Sequence, residues 1–272
     1  MNACGTRARR VFALALWMMS GVAVAASDPG VPSAPRMQFV PTPAGTYALQ
    51  RIQQSPDAEL LDALARPRRL RDLTRGKVTL LTFFYTYCAD PLGCPFAYQL
   101  MLGLRERING DDELRSRVRF VSISFDPTHD SPGQLRRYAA PLSGDARFEW
   151  HFLTAASMTQ LEPLLASFGQ DVRIERDEQQ RPVRAINHML KLFLIDGEGT
   201  VREIYALDFL HPDVLLNDMR TLQREALGAG PGARHVQDQA QAFSSSSQSS
   251  RSSGRWITKS APQLVTSVAP PR

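Results

Sequence analysis

The run at residues 78–85 is apolar and aromatic with almost no alternation, which fits a central strand buried on both faces. Residues 46–52 predict an earlier strand, and Gly76-Lys77 supplies a turn just before the central one. At 96–108, Leu100, Leu104 and Ile108 recur at helical spacing. Pro95 suits the start of that helix, where a missing N–H costs nothing. Residues 118–125 form a second β-rich run that stops at Asp126-Pro127, with a short helix expected at 132–140. A third strand is expected at 148–153. Residues 157–168 read as an amphipathic helix, with Ser157 as N-cap and Gly169 as its stop. Residues 190–196 and 201–205 flank Gly197-Glu198-Gly199 and predict a β-hairpin. A last helix follows at 212–226.

Strands that alternate with helices, closed by a hairpin and a helix, predict the α/β class. The order β-α-β-α-β-α-β-β-α is that of a thioredoxin-like three-layer sandwich with a central mixed sheet, expected over residues 45–227. Residues 1–26 read as a signal peptide: Arg7, Arg9 and Arg10 precede an apolar stretch, and small residues allow cleavage after Ala25 or Ala26. That stretch is shorter than the roughly 20 residues a membrane span needs. A retained N-terminal anchor is therefore the weaker alternative, and no further transmembrane span is expected. Residues 27–44 are proline-rich and predict a linker. Residues 228–272 predict a disordered tail, since eight of the ten residues from 244 to 253 are serine. Trp256-Ile257 is a docking candidate within it.

The formal net charge of +5 misleads, because the basic excess sits at the two ends of the chain. Residues 27–227 carry 24 basic and 26 acidic side chains, so no basic face for nucleic acid follows.

Cysteine changes the picture most. Cys4 leaves with the signal peptide, and Cys88 and Cys94 are then the only cysteines. They stand between the buried strand and a helix start, where a thioredoxin-like fold places redox or metal chemistry. Export to the oxidising periplasm allows the pair to form a disulfide or to hold a soft metal. Placed at or beside the N-cap, Cys94 is expected to have its thiol pKa lowered by the helix dipole. The competing readings are a structural disulfide or inert core thiols.

Three stretches, taken together, resemble the Sco/SenC family of copper-binding, thioredoxin-like proteins that assist cytochrome c oxidase assembly. They are 78–95 with its cysteine pair and Pro95, 120–132 with its Asp-Pro turn, and 187–199 with His188 ahead of Leu194-Ile195-Asp196. The resemblance covers roughly 45–226. It implies a copper site made of Cys88, Cys94 and His188, loaded with Cu(I) or, in a second form, Cu(II). The implied partner is a copper-receiving respiratory oxidase subunit or another periplasmic copper or thiol protein. One departure stands out: the family puts three residues between its cysteines, and this chain has five, Ala89 to Gly93.

Among the other histidines, His129 is expected on a solvated loop at the site rim, His151 in a strand, His211 at a helix start and His235 in the tail. Asp90 could tune the thiols or merely solubilise its loop, and Asp126 is expected to cap its own turn. Two functions remain open. One is a copper chaperone; the other is a periplasmic thiol-disulfide oxidoreductase with Cys88 and Cys94 as redox pair, its nucleophile undecided. Peroxidase chemistry is a third, weaker reading. His188 discriminates the first two, because exchange chemistry needs no third ligand.

Overall fold

The computed structural model describes residues 39–142, 147–176, 178–179 and 182–229. The expected signal peptide with Cys4, most of the expected linker, His235 and Trp256 lie outside them. The strands are β1 (Gln53–Gln54), β2 (Glu59–Asp62), β3 (Pro67–Arg69), β4 (Val78–Phe84), β5 (Val118–Ser124), β6 (Trp150–Thr154), β7 (Val172–Arg176), β8 (Pro182–His188), β9 (Leu192–Ile195) and β10 (Thr200–Tyr205). The α-helices are α1 (Leu70–Leu73), α2 (Cys94–Asn109), α3 (Asp112–Arg117), α4 (Pro132–Ala139), α5 (Met158–Ser167) and α6 (Pro212–Ala226).

Eight strands form one mixed sheet in the order β1-β10-β9-β4-β5-β6-β2-β3. β4, β5 and β6 run parallel, while β9 lies antiparallel on the other side of β4. β4 and β5 are buried at every position, as their unalternating sequence requires. Leu81 and Phe83 face a layer containing Leu161, Leu164 and Leu165 of α5. Leu80 faces the opposite layer, with Leu100 and Leu104 of α2 and Leu215, Met219 and Leu222 of α6. Two cores on one sheet make the expected three-layer thioredoxin-like sandwich. Truncating a side chain such as Leu80, fully buried between strand and helices, would cost about 2–5 kcal/mol.

The expected strand at 46–52 does not form. Its polar groups are taken by α6 and by a buried arginine instead. The Tyr47 hydroxyl donates to Asp218, Gly45 N–H donates to Thr221 Oγ1 at 2.9 Å, and the Arg202 guanidinium binds the Leu49 and Gln50 carbonyls at 2.6 and 3.0 Å. Only Gln53–Gln54 pairs with β10. Two antiparallel pairs go beyond the expected order: β2–β3 at the sheet edge, and β7–β8 as a separate two-stranded sheet. The predicted 190–205 hairpin forms as β9–β10. Its turn is fixed by Asp196, whose Oδ1 accepts from the Glu198 and Thr200 N–H groups at 3.0 and 2.9 Å. Ser157 caps α5 as expected, accepting from Gln160 N–H. Among the described residues no helix is long and apolar enough to cross a membrane.

Candidate metal centre

β4 ends at Phe84 and the chain turns at once, with Cys88 N–H donating to the Tyr85 carbonyl at 3.3 Å. α2 begins with Cys94 as its first residue, Gly93 as N-cap and Pro95 next. The intervening five residues close on Asp90. Its carboxylate accepts from Leu92 N–H at 3.0 Å, and its carbonyl accepts from Gly93 N–H at 3.0 Å. A Cβ on Gly93 would lie 3.3 Å from three Asp90 atoms, so glycine permits this close approach. The lengthened spacing is absorbed in a compact turn, and Asp90 serves that turn from an exposed position.

Two carboxylates from the Asp-Pro segment fasten the start of the loop. Asp130, fully buried, accepts from Thr86 N–H at 3.0 Å, from the Thr86 hydroxyl at 2.5 Å and from the Ser124 hydroxyl at 2.6 Å. Asp126 caps its own turn as expected, accepting from the Thr128 and His129 N–H groups at 3.0 and 3.2 Å. It also accepts from the Tyr87 hydroxyl at 2.6 Å. Burial works against its ionisation, but the Thr128 and Tyr87 hydrogen bonds outweigh it and hold Asp126 below the usual carboxylate range. The parallel pairing of β4 with β5 is what brings these two segments together at one end of the sheet.

Both cysteines are free thiols, Cys88 half-buried and Cys94 buried. Cys88 is held down to about 5, first by the Cys94 thiol donating to its sulfur. Burial opposes this, while the N–H groups of Cys94 and Asp90 and the Tyr85 hydroxyl reinforce it. Cys94 moves the other way, pushed up by the adjacent Cys88 sulfur and by burial. The expectation that the helix terminus favours the Cys94 thiolate is thus corrected. The Cys94 N–H favours ionisation of both sulfurs, but at Cys94 the adjacent Cys88 sulfur and burial outweigh it. The two thiols titrate as one coupled pair, the Cys88 sulfur pulled down and the Cys94 sulfur pushed up by their mutual contact.

His188 closes β8, opposite Val172 of β7. Its Nδ1 lies 2.9 Å from the Ile186 carbonyl, which can only accept, so in the neutral ring Nδ1 carries the proton and Nε2 presents a lone pair. That lone pair faces Cys94 Sγ at 4.0 Å. The ring also meets Phe125 and Tyr85 edge-on, with centroids 4.5 and 5.8 Å apart. A backbone carbonyl fixing the remote nitrogen is the usual support of a metal-ligating imidazole. With metal–sulfur and metal–nitrogen bonds of about 2.3 and 2.0 Å, a shared ion spans about 3.5 Å at a tetrahedral angle and about 4.3 Å when linear. The Cys94–His188 separation falls inside that range. Among the described residues no three His, Cys, Asp or Glu side chains stand close enough together to hold a metal ion.

The other described histidines make their contacts elsewhere. His129 is exposed and packs edge-on against Tyr87 at 4.5 Å. His151 lies in β6 paired with Val121, 3.8 Å from Glu149. His211 caps α6, its Nδ1 accepting from Asp213 N–H at 3.3 Å. Three neighbours of the site were not singled out from the sequence: Tyr85, Tyr87 and Asp130. The hydroxyls in the cysteine loop and the second Asp of the Asp-Pro stretch were the available signals.

The fold, with a cysteine pair just past the C-terminal end of its central strand and His188 closing the β7–β8 ribbon beside it, is that of a thioredoxin-like protein. The family model for SCO1/SenC matches residues 53–224, well over half the chain, and this protein belongs to the SCO1/SenC family. It is 32% identical over 134 residues to the SCO1 protein homolog of Bacillus subtilis (strain 168), a match covering 48% of this chain and 63% of that relative. It thus spans somewhat less than two thirds of the relative's length. Among solved structures it is similar to a SCO1/SenC family lipoprotein from Bacillus anthracis str. Ames, with TM-score 0.52 and 24% identity over 63% of this chain and 95% of that one. It is also similar to BsSco, described as having a disulfide switch and as a member of the Sco family of cytochrome c oxidase assembly proteins. The TM-score there is 0.50 and the identity 25%, over 65% of this chain and 98% of that one.

Proposed function

We propose that this protein is an exported, periplasmic copper carrier of the Sco/SenC type. Residues 1–26 act as its signal peptide, 27–44 as a linker, 45–227 as the working domain and 228–272 as a tail. Cys88, Cys94 and His188 take up copper as cargo, with Cu(I) matched to the soft sulfurs and imidazole completing the donor set. The recipient is the copper centre of a respiratory oxidase. One observation carries the assignment of ligands: Nε2 of His188 faces Cys94 Sγ at 4.0 Å, with its ring orientation fixed from behind by the Ile186 carbonyl. Membership of the family, and the description of BsSco as an oxidase assembly protein, support the role.

Competition of the reduced protein against a chromophoric Cu(I) chelator tests this. One Cu(I) is expected per wild-type chain. Cys88→Ala or Cys94→Ala should abolish tight binding, and His188→Ala should weaken it about 10 to 100-fold.

A second reading, thiol-disulfide oxidoreductase, is favoured by one feature. The Cys88 thiolate is half-exposed and held low, which suits a nucleophile, with buried Cys94 as the resolving thiol. Unchanged Cu(I) affinity in His188→Ala would select that reading.

A further inference from the structure

α5 stops at Ser167, and the chain turns through Gly169, whose positive φ of 59° suits glycine. This turn is tied down on both sides. Phe168 packs into the core against Phe83 and Phe193, with centroids 5.5 and 4.9 Å apart, and Gln170 N–H returns to the Leu165 carbonyl at 2.8 Å. Gln170 is only 3% exposed, and its side-chain Nε2 donates to the Met189 carbonyl at 3.0 Å. Met189 follows His188 directly and is 63% exposed. The other end of the same amide, Oε1, is buried without a hydrogen-bond partner. A half-paired buried amide stabilises a fold poorly, because the orphaned acceptor costs at least as much as the one bond returns.

We infer that Gln170 is a positioning residue for His188: its amide, mounted on the fixed end of α5, holds the Met189 carbonyl and so sets how the imidazole stands to Cys94. That role rests on the proposed reading of His188 as a copper ligand. β8 ends at His188 and β9 begins at Leu192, so residues 189–191 alone make the crossing between two sheets. Fixing the carbonyl of the first of them fixes the backbone that carries the ligand. The Ile186 carbonyl acts differently, on the ring itself through Nδ1. Ring orientation and backbone position are thus set by separate groups, the kind of outer support that a metal-ligating imidazole depends on. Lys191 Nζ also reaches back to the Gly169 carbonyl at 2.7 Å, from an exposed position. An apolar side chain of glutamine's size would fill the same space without the orphaned Oε1. What the amide adds is its hold on Met189.

A double-mutant cycle on the reduced full-length protein, read by competition against a chromophoric Cu(I) chelator, tests this. Gln170→Met keeps the volume and removes both ends of the amide. With His188 present it should weaken Cu(I) about fivefold, the size of one neutral hydrogen bond. In a His188→Ala background the same change should alter affinity by less than about twofold, because no imidazole is left to position. The metal-free protein supplies two further readings. The unfolding midpoint of Gln170→Met should stay within about 2 °C of wild type, since the lost bond and the removed orphan offset each other and water can take the exposed Met189 carbonyl. Amide hydrogen exchange over residues 187–191 should nevertheless rise about fivefold. Gln170→Asn, whose amide is one methylene short of the carbonyl, should weaken Cu(I) similarly and decides the matter if Gln170→Met folds poorly. Wild-type affinity or unchanged exchange in the folded variant overturns the inference. So does an equal loss of affinity in both backgrounds, the mark of a general structural role. Wild-type affinity in His188→Ala alone overturns the ligand reading and the inference with it, so the two failures show in different variants.

Discussion

Asp130→Ala should strip the anchor from the cysteine loop. The carboxylate is fully buried and receives Thr86 N–H, the Thr86 hydroxyl and the Ser124 hydroxyl at 3.0, 2.5 and 2.6 Å. A hydrogen bond to a charged group contributes about 1.5–3 kcal/mol, so these bonds sum to roughly 4–9 kcal/mol gross. Against this, the variant no longer buries a charge, which is worth several kcal/mol, and the two hydroxyls can rotate to other acceptors. The net loss is about 3–4 kcal/mol, in line with removing one partner from a buried charged cluster. At roughly 2–4 °C per kcal/mol for a domain of this size, the unfolding midpoint should drop by about 6–15 °C. Thermal unfolding of the reduced, metal-free protein by circular dichroism measures it. Ser131→Ala is the comparator: it deletes only the α4 cap, whose side chain accepts from Gln134 N–H, and should cost about 1 kcal/mol. A drop of under about 3 °C for Asp130→Ala, or one no larger than that of Ser131→Ala, would refute the reasoning.

Asp126 is held below its ordinary value of 3.8, so its ionisation stabilises the folded state at higher pH, and that stability is lost as pH falls below about 3.8. Asp126→Asn should therefore cost stability at pH 6 and little at pH 2.5, which denaturant melts at the two pH values would show. Tyr47→Phe removes the bond to buried Asp218 and should raise amide hydrogen exchange across residues 42–50 while leaving Cu(I) affinity unchanged. Gly93→Ala pushes a Cβ to within 3.3 Å of three Asp90 atoms, and slower closure of the Cys88–Cys94 disulfide is expected, read by timed alkylation and mass spectrometry. Air oxidation of the wild type should remove two hydrogens from the intact mass, whereas thiols that stay fully alkylatable would rule out a closable pair.

The β4 run, the α2 periodicity and the α6 boundaries were legible because each is local. An unalternating strand, leucines at helical spacing and Pro212 at a helix start each announce themselves within a few residues. His188 was legible only through the resemblance of its surroundings, since its strand carries no strong period of its own. The alternation in β7, Val-Arg-Ile-Glu-Arg, was a readable signal that went unused. The polar satisfaction of residues 46–52 could not be read, because the partners Asp218 and Arg202 lie more than 150 positions away. Asp130 is a similar case: its burial depends on Thr86, 44 residues earlier, arriving through the parallel pairing of two strands. The dipole argument at Cys94 failed for a geometric reason. Backbone N–H groups do act on Cys94, but the adjacent Cys88 sulfur and burial outweigh them.

The β7–β8 ribbon forms a sheet of its own, and the ladder that ends in His188 is separate from the one that ends at the cysteine loop. If Cys88, Cys94 and His188 hold copper as proposed, this separation bears on rate as much as on strength. Donors mounted on one rigid frame must all let go together, and the barrier to release then approaches the whole binding energy. Donors split between two frames can be exchanged in sequence, an incoming ligand taking the imidazole's place while both sulfurs still hold. Tight retention and rapid hand-over then become compatible, because the cargo need never be free between one protein and the next.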